Sequence, residues 1–118
     1  MLKILAILLI FLANNNLFCQ ITNDLGVFTV TAYCSCSKCC GKWAQFNKTA
    51  NNSTPKQGVT CAASRNISFN TKLFIENVGI RVVQDRLAIK YDNRIDVYFT
   101  NHIDALKFGK KQLKVKIN

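Results

Sequence analysis

Six short runs of β-branched and aromatic residues, each closed off by turn-forming residues, constrain the fold of this 118-residue chain more than any other feature. The first is VFTVTAY at 27–33, followed by VTCAA at 59–63, TKLFI at 71–75, IRVV at 80–83, RIDVYF at 94–99 and LKVKI at 113–117. Residues of these types fit a pleated, half-buried surface. In the fifth run apolar and polar residues alternate on a period of two. In the sixth, Leu113, Val115 and Ile117 alternate with lysines, so a lysine face stays open to solvent. Glu76-Asn77-Val78-Gly79 between the third and fourth runs predicts a hairpin turn. Thr100 or Asn101 is placed to cap a short helix from Ile103 to Phe108, with Gly109 as its stop. Residues 34–43, CSCSKCCGKW, read as a cysteine-dense turn, and the polar residues 44–58 as a surface loop. Six strands and one short helix in about 90 residues predict a mainly β domain, a small closed barrel that leaves few free edges. No internal repeat, glycine-rich phosphate loop or heptad interrupts this reading.

Upstream of the first run the pattern differs. Met1-Leu2-Lys3 gives a short positive start, ILAILLIFLA at 4–13 an unbroken apolar run, and Asn14-Asn15-Asn16 a polar boundary. That order is the order of a secretory signal. The apolar run is about half of the roughly 20 residues a bilayer-spanning helix needs. Residues 1–19 are therefore expected to be a cleaved signal peptide, with the folded domain at 27–118 and no permanent membrane span. Cys19 opens a lipid-anchor alternative, which the bulky Phe18 beside it opposes. The expected location is periplasmic, extracellular or in the cell wall.

Sixteen Lys and Arg against six Asp and Glu give a net charge of +10. Such a surplus favours an anionic partner. Outside the cytoplasm that means anionic wall polymers or acidic lipids rather than nucleic acid. In an oxidising compartment Cys34, Cys36, Cys39, Cys40 and Cys61 are expected to form mostly disulfides that staple a small core. A link from the 34–40 cluster to Cys61 would bridge the long polar loop. Cys36-Ser37-Lys38-Cys39 also fits half of a zinc site, but such a site usually has a second pair or nearby histidines. His102, the single histidine, reads as a surface residue at a helix start. No metal and no cofactor are expected.

Two acids stand out. Asp96 lies mid-strand between Ile95 and Val97, so its side chain points away from theirs, on the face it shares with Arg94. Asp85 ends a strand just before Arg86. Taken alone, the first reads as an exposed strand residue and the second as a turn cap.

Several stretches together resemble the 3D domain, a family named for three aspartates. They are Thr29 to Cys34, Cys39 to Trp43, Gly58 to Ala63, Thr71 to Ile75, Val83-Gln84-Asp85, Asn93 to Phe99 and His102 to Gly109. The resemblance spans roughly 27–117 and implies a six-stranded double-psi β-barrel. Relatives include lytic transglycosylases that cut the bond between N-acetylmuramic acid and N-acetylglucosamine in peptidoglycan. The second and third family aspartates fall on Asp85 and Asp96. The first falls near Ser64, where no acid stands, and Leu87 and Ala88 replace two glycines common after the second.

What the resemblance implies is a peptidoglycan-cleaving enzyme, with a non-catalytic wall-binding module as the alternative. Glycosidic cleavage needs an acid to protonate the leaving oxygen. Hydrolases usually pair two carboxylates for this. In a lytic transglycosylase the sugar's own 6-hydroxyl attacks, so one carboxyl can donate and then accept a proton. Asp96 is the expected acid and base, and Asp85, on a neighbouring strand, its tuner. Ser64, Arg94, Tyr33 and Trp43 are the candidate substrate-binding residues, the two aromatics by stacking on sugar rings.

Overall fold

The computed structural model describes residues 23–118. The expected signal over 1–19 and the anchor reading of Cys19 lie outside them. Six strands close into a barrel: β1 (Asp24–Tyr33), β2 (Thr60–Ala63), β3 (Lys72–Ile75), β4 (Gly79–Arg86), β5 (Arg94–Tyr98) and β6 (Lys111–Ile117). Around the barrel the order is β1-β5-β2-β4-β3-β6. The pairs β1–β5 and β2–β4 are parallel and the other four antiparallel. Strand number and closure agree with the barrel expected from the sequence. Helical structure exceeds the single helix expected. Besides α2 (His102–Phe108), the cysteine-dense turn coils into α1 (Ser37–Cys40) and a 3₁₀ helix over Gly41–Phe46.

The period-two pattern explains which face turns inward. Phe28 and Val30, Cys61 and Ala63, Leu73 and Ile75, Ile95 and Val97, and Leu113 and Val115 each contribute an i, i+2 pair to one buried cluster, which Val83 completes. Burying each large aliphatic side chain contributes about 1.5–3 kcal/mol, and these side chains dominate the stability of a barrel this small.

Local signals act where the sequence places them. Asn77 and Gly79 take positive φ in the β3–β4 turn, and the Val78 amide donates to the Ile75 carbonyl at 3.0 Å. The Asn101 side chain accepts from the Ile103 and Asp104 amides, capping α2. β1 starts three residues before the β-like run because Asp24 and Gly26 pair with Lys116 and Val115 of β6, and the Asp24 carboxylate also accepts the Gly26 amide at 2.8 Å. A bulge at Gly26 then carries the pairing with β6 onward. Among the described residues no helix is long and apolar enough to cross a membrane.

A second bulge shapes the outer surface. Cys61 pairs with Val83, but the next residue, Ala62, pairs with Asp85 rather than Gln84. Without the extra residue, Asp85 would oppose Ala63, whose side chain faces the core. With it, Asp85 shares the outer face with Ala62. Gln84 is held by the Thr60 hydroxyl, which donates to its side-chain oxygen at 2.7 Å.

Candidate functional site

A row of outward-facing residues crosses four adjacent strands: Thr31 on β1, Asp96 on β5, Ala62 on β2 and Asp85 on β4. Asp85 and Asp96 were expected on neighbouring strands. They are instead separated by β2, with Ala62 between them. Two strand spacings put their backbones roughly 10 Å apart. Both aspartates line one cleft of about 1060 Å³, together with Tyr33, Trp43, Phe46, Tyr91 and Arg94.

The two carboxylates are held differently. Asp85 is fully engaged. Its Oδ2 accepts the Tyr33 hydroxyl at 2.8 Å, and its Oδ1 accepts the Ala50 amide at 3.0 Å and the Arg86 amide at 2.9 Å. Burial, and after it the adjacent Asp85 carboxylate, push the Tyr33 phenol far above its ordinary range, so it remains a proton donor to Asp85. Asp96 is engaged on one side only. Its Oδ1 accepts from the Thr31 hydroxyl and, at 3.2 Å, from Arg94 Nε. Its Oδ2 accepts no hydrogen bond from the described residues. Arg94 Nε also donates to Thr31 Oγ1 at 2.9 Å, and its guanidinium stacks 4.6 Å from the Tyr91 ring centre.

The other expected binding residues divide. Trp43 lies exposed on the 3₁₀ helix at the cleft wall, 6.0 Å from Phe46 between ring centres. Tyr33 also lines the cleft, but its hydroxyl is committed to Asp85 and its ring packs edge-on against Tyr98 at 5.5 Å. Ser64 stands apart. It is buried, its Oγ accepts the Asn66 amide at 3.4 Å, and it borders a separate cavity of about 190 Å³. Residues that sequence reasoning missed include Thr31, Phe46, Tyr91 and the Ala50 amide. Only Thr31 carried a signal, since it shares a strand face with Tyr33.

The cysteines depart most from expectation. Among the five described cysteines, Cys34, Cys36, Cys39, Cys40 and Cys61, no two sulfurs lie at disulfide distance, so the expected staples are not seen. Cys61 does not link to the 34–40 cluster because its side chain points into the barrel core, where burial pushes its thiol up to about 12. At pH 8 it is therefore protonated and enclosed. Iodoacetamide is expected to modify it only after denaturation, as read by mass spectrometry of the labelled peptides. Labelling of Cys61 in the folded protein would contradict its placement. Cys34, Cys36 and Cys39 instead gather around His102, all four donor atoms lying within 4.8 Å of one another. The expectation that His102 is a mere surface residue fails, because α2 docks its first residue against the end of β1.

Fold and site together define a small closed β-barrel domain with a two-aspartate cleft on its outer face. In sequence the chain is similar to the "Putative cell wall shaping protein YabE" of Bacillus subtilis (strain 168), with 33% identity over 97 residues. The match covers 81% of this chain and 23% of that protein, so the chain spans less than a quarter of the relative's length. No family model matches the chain.

Proposed function

We propose that this domain is a 3D-type barrel that cleaves peptidoglycan glycan strands in the manner of a lytic transglycosylase, with Asp96 as acid and base. The observation that carries the proposal is the unequal engagement of the two carboxylates in one cleft. Among the described residues Asp96 Oδ2 has no partner, whereas Asp85 is bonded through both oxygens. A hydrolase with two working carboxyls needs both of them free to act. Here one is free, which suits the route needing one carboxyl. Asp96 gives its proton to the leaving glycosidic oxygen. It then takes the proton of the sugar's 6-hydroxyl as that oxygen closes onto the anomeric carbon. Thr31 and Arg94 orient Asp96, and Asp85 holds Tyr33 and the Ala50 segment in the cleft wall. Trp43 and Phe46 offer apolar ring faces to sugars. Lys48, Arg65 and Arg94 at the cleft suit a glycan bearing carboxylated peptide stems. The name of the Bacillus relative supports a cell-wall role, and an exported location accords with it.

A second reading, a non-catalytic wall-binding module, is favoured by the ion pair of Asp96 with Arg94. Incubating purified protein with peptidoglycan and analysing the soluble fraction by mass spectrometry separates the two. Anhydro-muropeptides that disappear in Asp96→Ala support the enzyme. Binding with no soluble product, unchanged by that substitution, supports the module.

A further inference from the structure

The geometry points to a structural zinc site formed by Cys34 Sγ, Cys36 Sγ, Cys39 Sγ and His102 Nδ1, at the edge of the cleft whose wall Cys39 shares, and taking no part in the aspartate chemistry. The sulfur of Cys34 lies 3.0 Å from that of Cys36 and 3.5 Å from that of Cys39. His102 Nδ1 is 3.4 Å from Cys34 Sγ, 3.2 Å from Cys36 Sγ and 3.4 Å from Cys39 Sγ. A tetrahedron built on zinc–sulfur bonds of about 2.3 Å and zinc–nitrogen bonds of about 2.0 Å has S···S edges near 3.8 Å and S···N edges near 3.5 Å. The three S···N separations match those edges to within about 0.3 Å, the two S···S separations lie inside theirs, and both S···S separations exceed the 2.05 Å or so of a disulfide bond.

Core packing does not account for the grouping. Of the four residues Cys34 alone is buried, and Cys39 is exposed. A hydrophobic cluster would not gather an imidazole and three thiols at its rim. Three soft sulfurs and one imidazole gathered within 4.8 Å of one another match zinc chemistry rather than that of a hard cation, and four protein ligands would make a closed structural site. Cys40, next in sequence, is excluded from the set: its thiol donates to the Cys34 carbonyl at 3.1 Å.

Three ligands lie within six residues of one another, and the fourth comes from more than sixty residues onward. Cys34 follows β1, Cys36 and Cys39 flank and occupy α1, and His102 opens α2. One ion ties these three segments together. It also anchors the base of the 3₁₀ helix over 41–46 that presents Trp43 and Phe46 to the cleft. Binding requires the three thiols to release their protons.

The test uses the full chain, purified with a thiol reductant and without chelator. Its metal content is measured by inductively coupled plasma mass spectrometry, and the zinc-free form is titrated with cobalt(II). The expected result is one zinc per chain and a cobalt spectrum with thiolate charge-transfer bands and intense tetrahedral d–d bands. Cys39→Ser and His102→Ala are expected to lose stoichiometric zinc, and Cys40→Ser to keep it. Should a ligand variant fail to fold, the cobalt spectrum of the unsubstituted chain still decides. Absence of zinc with an octahedral cobalt spectrum would overturn the proposal. So would zinc retained in both ligand variants, zinc lost equally from folded Cys40→Ser, or a disulfide among Cys34, Cys36 and Cys39 in the purified chain.

Discussion

Replacing Asp96 with asparagine is expected to reduce the release of anhydro-muropeptides at least about a hundredfold, the usual contribution of a positioned acid–base group. Asparagine keeps the shape of the side chain and an oxygen for Thr31 and Arg94, but it cannot donate and recover the proton. The ion pair it removes is partly exposed, with side-chain exposures of 29% and 19%. Pairs of this kind contribute no more than about 1 kcal/mol, so the urea midpoint should move little. Asp85→Asn, whose oxygen can still accept the Ala50 and Arg86 amides while its NH2 donates to the Tyr33 oxygen, should retain most of the turnover. If Asp85→Asn abolishes product release while Asp96→Asn leaves it intact, the assignment of roles is reversed.

Asp85→Ala is expected to act on stability instead. It strips the acceptor from the Tyr33 hydroxyl and from the Ala50 and Arg86 amides at once. The Ala50 amide is exposed and water can replace its partner, but the other two groups are part-buried. Leaving such donors unpaired costs about 1–3 kcal/mol, so a loss of about 2 kcal/mol is expected from urea denaturation. Adding Tyr33→Phe to Asp85→Ala removes the stranded hydroxyl and should recover part of that loss, a coupling readable in a double-mutant cycle. A cost below about 0.5 kcal/mol would show that Asp85 is not the structural anchor described here.

The strands were legible because each run is rich in β-branched or apolar residues between turn formers, with a two-residue period in the last two, and α2 because Asn101 and Gly109 bracket it. The order around the barrel was not legible. Nothing in the run at 59–63 says that it inserts between the strands bearing Asp85 and Asp96, so the aspartates were expected side by side. The bulge at Gln84 was hidden as well. Alternation from Val83 gives Asp85 an inward direction, and only pairing with β2 reveals the extra residue that turns it outward. The cysteines misled for a similar reason. Their crowding at 34–40 was plain, but their common neighbour lies more than sixty residues onward, and only the docking of α2 brings it in. His102 was visible as the single histidine of the chain, without any sign of where it would come to rest. The resemblance set Ser64 where an acid was expected, and the structure gives it to a turn beside a different cavity.

The end of β1 has a consequence for how this sequence can vary. Within four residues Thr31 bonds Asp96, Tyr33 bonds Asp85, and Cys34 enters the sulfur cluster. These contacts share one stretch of backbone, so a substitution that shifts it disturbs all three together. The tetrapeptide TAYC therefore ties both cleft aspartates and the sulfur cluster to one short stretch of chain.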